Sequence, residues 1–355
     1  MKRIRVVVVE DSLTVRKYLV ERLRSDPELD VVGEGEDGKQ GIELCERLRP
    51  DVVTLDMMMP VMTGLSATEY IMAYCPTPIV IVSASTNRGE LFRTYEALAA
   101  GALDVIEKPL EDASEPEWGN KLIATVKLAS RVKVITHPRG RLNRVHQAAA
   151  NVARPPSAAH NYRCAALGVS TGGPQALATL LGALAADFPL PLLIVMHISP
   201  AFGGAFAEWL ADQTALPVAL ARHNQALPAF GVPGALLAPP DRHLIVRGNR
   251  LQLTGAPELH SCRPSVDVLF QSVAQEIGAR AVGILMTGMG RDGARGLLAI
   301  REAGGMTIAQ DEATSIVFGM PREAILLGAA RSVLPLEEIA PKLTLLAAAT
   351  EASRS

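Results

Sequence analysis

Short runs of consecutive apolar residues, each ending at a polar or charged residue, constrain this chain more than any other feature. Residues 6–9 are four valines that run straight into Glu10-Asp11. Residues 51–55, 79–83 and 104–107 repeat the pattern. A run without alternation suits a strand buried on both faces. Between the runs the period changes. Val15, Leu19 and Leu23 recur at helical spacing up to Pro27, and residues 97–100 close a helix ahead of Gly101. Strands alternating with helices predict a parallel sheet covered on both faces, with ligand sites at the carboxyl ends of its strands. Residues 120–135 add an amphipathic helix, with Leu122, Ile123, Val126, Ala129 and Val132 on one side.

The pattern then stops. Residues 136–162 scatter Arg, Pro, Ala, Asn and His without periodicity, which reads as a linker. Beyond it the alternation resumes. Residues 165–169, 192–196, 281–286 and 306–309 have the buried-strand pattern, and 174–184, 202–213, 266–277 and 293–303 the helical one. Residues 228–255 hold shorter strands and turns that suit a small hairpin. The expected fold is α/β in two domains. One is a doubly wound five-stranded parallel sheet, and the other is a mainly parallel sheet of Rossmann-like type. The expected boundaries are 1–135, a linker at 136–162, and 163–350. A length of 355 residues suits two domains, and 48% apolar residues can fill two cores.

Composition excludes some functions. The formal net charge is -2, and no Lys/Arg block marks either end, which argues against nucleic-acid binding. Cys45, Cys75, Cys164 and Cys262 are far apart and form no CxxC pair, as in a reducing compartment. The opening valine run is too short for a signal peptide, and no apolar stretch reaches the ~20 residues of a membrane span. A cytoplasmic protein without membrane insertion is expected.

In the first segment, Glu10, Asp11, Asp56, Ser83 and Lys108 all stand at the ends of expected strands. A parallel sheet would gather them in one pocket. Three carboxylates that close repel unless a cation intervenes, and an oxygen-only cluster suits Mg²⁺. Lys108 and the Ser83 hydroxyl would face a phosphoryl group, with Asp56 at the centre as the nucleophile that becomes an acyl phosphate. Taken singly, each acid also fits an ordinary solvated loop end; the constellation carries the reading.

With VVVEDS, TLDMMMPVMTG, IVSAS and the Lys108-Pro109 pair, residues 1–135 resemble response-regulator receiver domains. The resemblance implies a phosphoryl group taken by Asp56 from a histidine kinase. It implies Mg²⁺ on Glu10, Asp11, Asp56 and the Met58 carbonyl, with Ser83 and Lys108 on the phosphoryl oxygens. One departure stands out. Many receivers carry a switching aromatic three residues before the lysine, where this chain has Val105.

In the second segment, Gly168-Val169-Ser170-Thr171-Gly172-Gly173-Pro174 leaves a buried run and opens a helix. Glycines there allow a sharp turn that lifts a serine above the sheet at a helix N-terminus. The same loop also fits a capping serine or a phosphate loop. A nucleophilic serine needs a base and an orienter. His197 ends the run at 192–196, on the same sheet edge, while His137, His146 and His160 fall in the linker region. His223, His243 and His260 fall in turns or surface-like segments. Asp292 follows the run at 281–286 through Thr287-Gly288-Met289-Gly290-Arg291, where it also fits a helix N-cap.

The segments GVSTGGPQAL, VMHISPAF, RPSVDVLF, ILMTGMGRDGARG and FGMPREA make residues 163–345 closely similar to chemotaxis-type protein-glutamate methylesterases. The resemblance implies Ser170 as nucleophile, His197 as general base and Asp292 as its orienter. It also implies support from Thr171, and an oxyanion donor in the Met289 backbone N–H. Arg263 is a weaker candidate for the substrate-facing rim, weighed evenly against a surface salt bridge. The implied activity is phosphorylation-activated hydrolysis of glutamate γ-methyl esters on the cytoplasmic helices of chemoreceptors, with glutamine deamidation as a related activity. No cofactor is implied for the hydrolase. Two rivals are a phosphorylation-dependent binding protein without turnover, opposed by the complete Ser170, His197 and Asp292 set, and a transcriptional regulator, which would need a basic output domain.

Overall fold

The structure is a computed structural model, and it describes residues 3–84, 87–108, 115–132 and 161–352. In chain order the first domain runs β1 (Ile4–Val9), α1 (Leu13–Arg24), β2 (Leu29–Gly35), α2 (Gly38–Leu48), β3 (Val52–Asp56), α3 (Gly64–Tyr74), β4 (Ile79–Ser83), α4 (Arg88–Ala99), β5 (Asp104–Glu107) and α5 (Glu115–Ala129). Its five strands pair in the order β2-β1-β3-β4-β5, every pairing parallel. The valine run explains itself here. Val7 and Val9 pack into one hydrophobic core, while Val6 and Val8 pack into another on the opposite face. A strand with one polar face would not survive between two helical layers.

Helix α5 ends at Ala129, short of the expected end at 135. Leu122, Val126 and Ala129 are buried as the spacing predicts, and Val132 still packs on the core from the turn beyond the helix. Residues 133–135 lie outside the described residues. So do 136–160 of the expected linker, with His137, His146 and His160, and so does Pro109. Tyr162, expected at the end of the linker, is instead buried. Its amide donates to Thr350 Oγ1 at 3.1 Å, and its ring joins the core under the second sheet. An aromatic ring in an otherwise polar segment is the clue that this residue belongs to a core.

The second domain runs β6 (Cys164–Val169), α6 (Gly173–Gly182), β7 (Leu192–Met196), α7 (Pro200–Asp212), β8 (Val218–Leu220), β9 (Gln225–Ala226), β10 (Ala235–Leu237), β11 (His243–Arg247), β12 (Arg250–Thr254), α8 (Val266–Glu276), β13 (Ala281–Leu285), α9 (Ala294–Glu302), β14 (Met306–Gln310), α10 (Met320–Leu326), β15 (Ser332–Leu334) and α11 (Leu336–Ala352). Seven strands form a parallel sheet in the order β15-β14-β13-β6-β7-β10-β8. The expected hairpin exists as β11 and β12, joined by β9 in a small three-stranded antiparallel sheet. From β6 the chain builds outward first on one side and later on the other. The reversal opens a crevice at the carboxyl ends of β6, β7 and β13, where open α/β sheets bind ligands.

The two domains share an apolar cluster. Tyr95 of α4 packs edge-on against Phe206 at 5.4 Å and lies 5.6 Å from Trp209, both on α7. Its hydroxyl donates to the Phe202 carbonyl. Arg88 and Glu208 form an ion pair at 2.6 Å at the edge of this contact, but both are well exposed. An exposed pair contributes about 0–1 kcal/mol, whereas each buried aromatic pair adds roughly 0.5–1.5 kcal/mol beyond its area. The aromatic cluster therefore dominates the contact.

Candidate functional site

The crevice in the second sheet holds the serine cluster. Ser170 follows β6, and its amide donates to the Thr287 carbonyl at 3.0 Å, tying the serine turn to the loop after β13. This close approach depends on Gly288. A Cβ there would come within 2.7 Å of the Ser170 Cβ and 2.5 Å of the Met320 sulfur. Gly172 has φ 77 and makes the turn into α6 that a side-chain-bearing residue would resist. Thr171 contributes through its backbone, its carbonyl accepting from Thr287 Oγ1 at 2.9 Å.

His197 follows β7, and its amide donates to the Val169 carbonyl at 3.0 Å, so the imidazole emerges beside the serine turn. Its Nε2 meets Asp292 Oδ2 at 2.9 Å. With Nε2 engaged, Nδ1 is the ring nitrogen left to accept a proton. Among the described residues Ser170 Oγ makes no hydrogen bond to His197; Nδ1 instead lies 3.8 Å from Cys262 Sγ. A loose nucleophile-to-base contact is common before substrate binds.

Asp292 is almost fully buried, and every hydrogen bond it accepts has a clear source. Oδ1 accepts from Ser265 Oγ at 2.8 Å and the Asp267 amide at 3.0 Å, and Oδ2 also accepts from the Val266 amide at 2.7 Å. These amides open α8. Asp292 thus docks on the N-terminus of α8, not on the helix that follows it, whose N-cap is Gly293 at φ 86. Burial alone would push the Asp292 carboxyl up, but His197, the α8 amides and Ser265 outweigh it and hold it below the usual carboxylate range. On His197, burial pushes down, while Asp292 and Cys262 more than reverse it and raise the imidazole to about 9.

The loop between β13 and α9 is pinned from beyond it. The Gly288 amide donates to the Val317 carbonyl at 3.0 Å, and the Gly288 carbonyl accepts from the Met320 amide at 2.8 Å. Among the described residues the Met289 N–H has no hydrogen-bond acceptor, and its side chain is exposed.

Sequence reasoning missed a supporting ring. His243, expected in a surface-like segment, is fully buried. Its Nδ1 accepts from the Ser265 amide at 3.1 Å. His260 pairs with Asp267 at 3.1 Å, and Asp267 accepts from the Gly296 amide at 2.6 Å. Only the RPSVD segment hinted at this ring, and no local pattern tells a packed histidine from an exposed one. The Arg263 guanidinium pairs with Asp241 at 2.6 Å and donates to the Ala256 carbonyl.

The first sheet carries the acid cluster. Glu10 and Asp56 are buried, Asp11 is exposed, and oxygens of all three lie within 4.8 Å of one another. Lys108 Nζ bridges Glu10 Oε1 and Asp56 Oδ2, each at 3.0 Å. Among the described residues, that leaves Glu10 Oε2 and Asp56 Oδ1 buried with no hydrogen-bond partner. Burial and Asp56 push Glu10 up to about 7, and burial raises Asp56 against the opposing pull of Lys108. Two orphaned anionic oxygens in an all-oxygen pocket fit a hard cation such as Mg²⁺. The Ser83 hydroxyl, expected on a phosphoryl group, donates to Glu90 Oε1 at 2.6 Å. Met58 lies at the rim with an exposed side chain.

The first domain reaches the serine site. A cavity of about 40 Å³ lies between the domains, lined by Leu98 and Val105 on one side and by Ser170, Thr171 and His197 on the other. Val105 therefore faces the serine site from the position where many receivers carry a switching aromatic.

Residues 165–343 match the family model for the CheB methylesterase, and residues 6–115 match that for the response regulator receiver domain. A protein-glutamate methylesterase/protein-glutamine glutaminase of Anaeromyxobacter dehalogenans is 44% identical, over 95% of this chain and 95% of its own. Relatives of the same name from Geobacter metallireducens and Nitrosospira multiformis are 42% and 43% identical, each over 97% of this chain and at least 97% of their own. The chain belongs to the CheB methylesterase family, with a response regulator receiver domain ahead of the catalytic domain.

Proposed function

We propose that this chain is a phosphorylation-activated serine esterase that hydrolyses glutamate γ-methyl esters on chemoreceptor helices. The observation that carries the reading is the pair of His197 and Asp292, with Asp292 held at the α8 N-terminus beside the Ser170 turn. His197 Nδ1 takes the Ser170 proton, Ser170 Oγ attacks the ester carbonyl, and methanol leaves with that proton. Water, deprotonated by the same nitrogen, then releases glutamate and restores the serine. The Met289 N–H donates to the oxyanion, and Thr171 holds the loop that presents it. Losing one such donor costs about 3–4 kcal/mol of transition-state stabilisation. A glutamine side chain fits the same acyl chemistry, with ammonia leaving in place of methanol.

Asp56 accepts a phosphoryl group from a histidine kinase of the same chemotaxis-type system. Glu10, Asp11, Asp56 and the Met58 carbonyl would hold Mg²⁺, which when bound neutralises the carboxylates and the incoming phosphoryl charge. Lys108 pairs with the phosphoryl oxygens, and the Ser83 hydroxyl turns to them. Control is steric. A cavity of about 40 Å³ has room for only a few waters, so a receptor side chain enters only when the receiver moves. Residues 1–135 and 163–350 are taken as the two units, joined by 136–162. No described helix is long and apolar enough to cross a membrane, and the protein acts in the cytoplasm where receptor signalling helices lie.

The test is methanol release from methyl-labelled receptor membranes, with and without a small phosphodonor. Wild type should be stimulated, Ser170→Ala should release none, and Asp56→Ala should keep only the unstimulated rate. Release by Ser170→Ala would sink the nucleophile, and stimulation of Asp56→Ala equal to wild type would sink the switch.

A further inference from the structure

Val105 removes the usual aromatic from the path between the phosphoryl site and the output face, so the signal needs another carrier. Glu90 stands where such a carrier would have to stand. It lies in the first turn of α4, almost fully buried, at 4% exposure. Its Oε1 accepts the Ser83 hydroxyl proton at 2.6 Å and the Ala84 amide at 2.9 Å. Its own amide donates to the N-cap Asn87 at 2.9 Å. One carboxylate thus ties the end of β4 to the start of α4.

A serine hydroxyl has a single proton to donate. Ser83 cannot give it to Glu90 and to a phosphoryl oxygen at once. Phosphorylation of Asp56 therefore competes directly with the Ser83 to Glu90 bond. Losing that proton takes one donor from a buried carboxylate beside new negative charge, so the first turn of α4 is pushed to rearrange. The same helix carries the interdomain contacts. Arg88 pairs with Glu208, Tyr95 packs on Phe206 and Trp209, and Leu98 lines the cavity over Ser170 and His197.

We infer that Glu90 is the positioning residue that carries phosphorylation of Asp56 from Ser83 into α4 and so to the catalytic face. The inference rests on the reading of Asp56 as phosphoryl acceptor and Ser170 as nucleophile. The carrier is a buried hydrogen-bond exchange on α4, and Val105 on β5 serves as an apolar wall.

The test uses the full chain with Mg²⁺ and phosphoramidate, measuring phosphoryl incorporation and methanol release side by side. Glu90→Ala should incorporate phosphoryl as wild type does, while the ratio of stimulated to unstimulated methanol release falls several-fold toward one. Glu90→Gln keeps an acceptor oxygen without the charge, and should hold an intermediate ratio. Equal loss of both rates in Glu90→Ala, with the ratio kept, would assign Glu90 to packing and overturn the inference. Loss of incorporation would overturn it too, by placing Glu90 at the phosphoryl site itself. If Glu90→Ala does not fold, Glu90→Gln and Ser83→Ala are combined. Non-additive effects on the ratio support the exchange, and additive ones refute it. Wild type that is phosphorylated but not stimulated would remove the switch reading, before any variant is made.

Discussion

The carboxylates at the edges of the two parallel sheets, Asp292 in one and Asp56 with Glu10 in the other, are built in opposite ways. Asp292 has a donor for both oxygens, supplied by His197, Ser265 and the first amides of α8. Asp56 and Glu10 share one lysine and each leave an oxygen orphaned. The electrostatics follow. Asp292 is held below the usual carboxylate range, and Glu10 is pushed up to about 7. A finished site is ready for chemistry, because its dipoles need no rearrangement in the transition state. An unfinished one leaves room for the cation and phosphoryl group proposed for it. The contrast sets a carboxylate whose hydrogen bonds are complete apart from a cluster that leaves room for a ligand.

The largest effect expected from this contrast is at Asp292. Asp292→Asn keeps the shape but allows the amide to present the wrong group to His197, and kcat should fall about 10³–10⁴-fold. Single-turnover methanol release from unphosphorylated and phosphorylated protein measures it. A fall of less than tenfold would mean that the α8 terminus, and not the imidazole, is what Asp292 serves.

Next in size is the pH profile. The proposed mechanism needs His197 deprotonated, and it sits at about 9 in this closed arrangement. The unstimulated rate should therefore climb roughly tenfold per pH unit from 7 toward 9 and then level. A flat profile across that range would show that the base is already neutral at pH 7.

The smallest effect is on stability, and here the two sites should oppose each other. Glu10 is raised from 4.5 to about 7 on folding, so the folded state binds its proton more tightly. The stability this gives is present at low pH and is lost as pH rises from about 4.5 through about 7. Asp292 is lowered from 3.8, so its contribution is present above that value and is lost as pH falls below it. Thermal unfolding followed between pH 4.5 and 7.5 should show the receiver losing a few degrees, and Mg²⁺ should restore them. Unfolding temperatures that do not respond to Mg²⁺ at pH 7.5 would contradict the unfinished-site description.

The parts legible in the sequence were those with local causes. Uninterrupted apolar runs gave away most of the parallel strands, and residues 79–83, 104–107 and 192–196 match theirs end to end, whereas β2, β8, β10 and β15, which are short or broken by polar residues, were not read as parallel strands. Polar residues at run ends marked both sites, because parallel strands must deliver those ends to one edge. The exit of α5 at Ala129 was not legible, since the apolar spacing continues through Val132 after the helical hydrogen bonds stop. His243 and His260 were not legible either. Nothing in a turn segment records that α8 and the loop before it will close over a histidine.

By itself, then, the chain determined two α/β domains, most of their parallel strands, and a family through long ordered motifs, all of which follow from nearest neighbours along the backbone. Tertiary structure alone decided which partners those residues take. It set Asp292 on the start of α8 instead of its own helix. It gave the Ser83 proton to Glu90, and it turned Val105 toward Ser170. Each depends on elements far apart in sequence meeting in space. A hydrogen bond is settled by distance and angle between such groups, which no local pattern encodes.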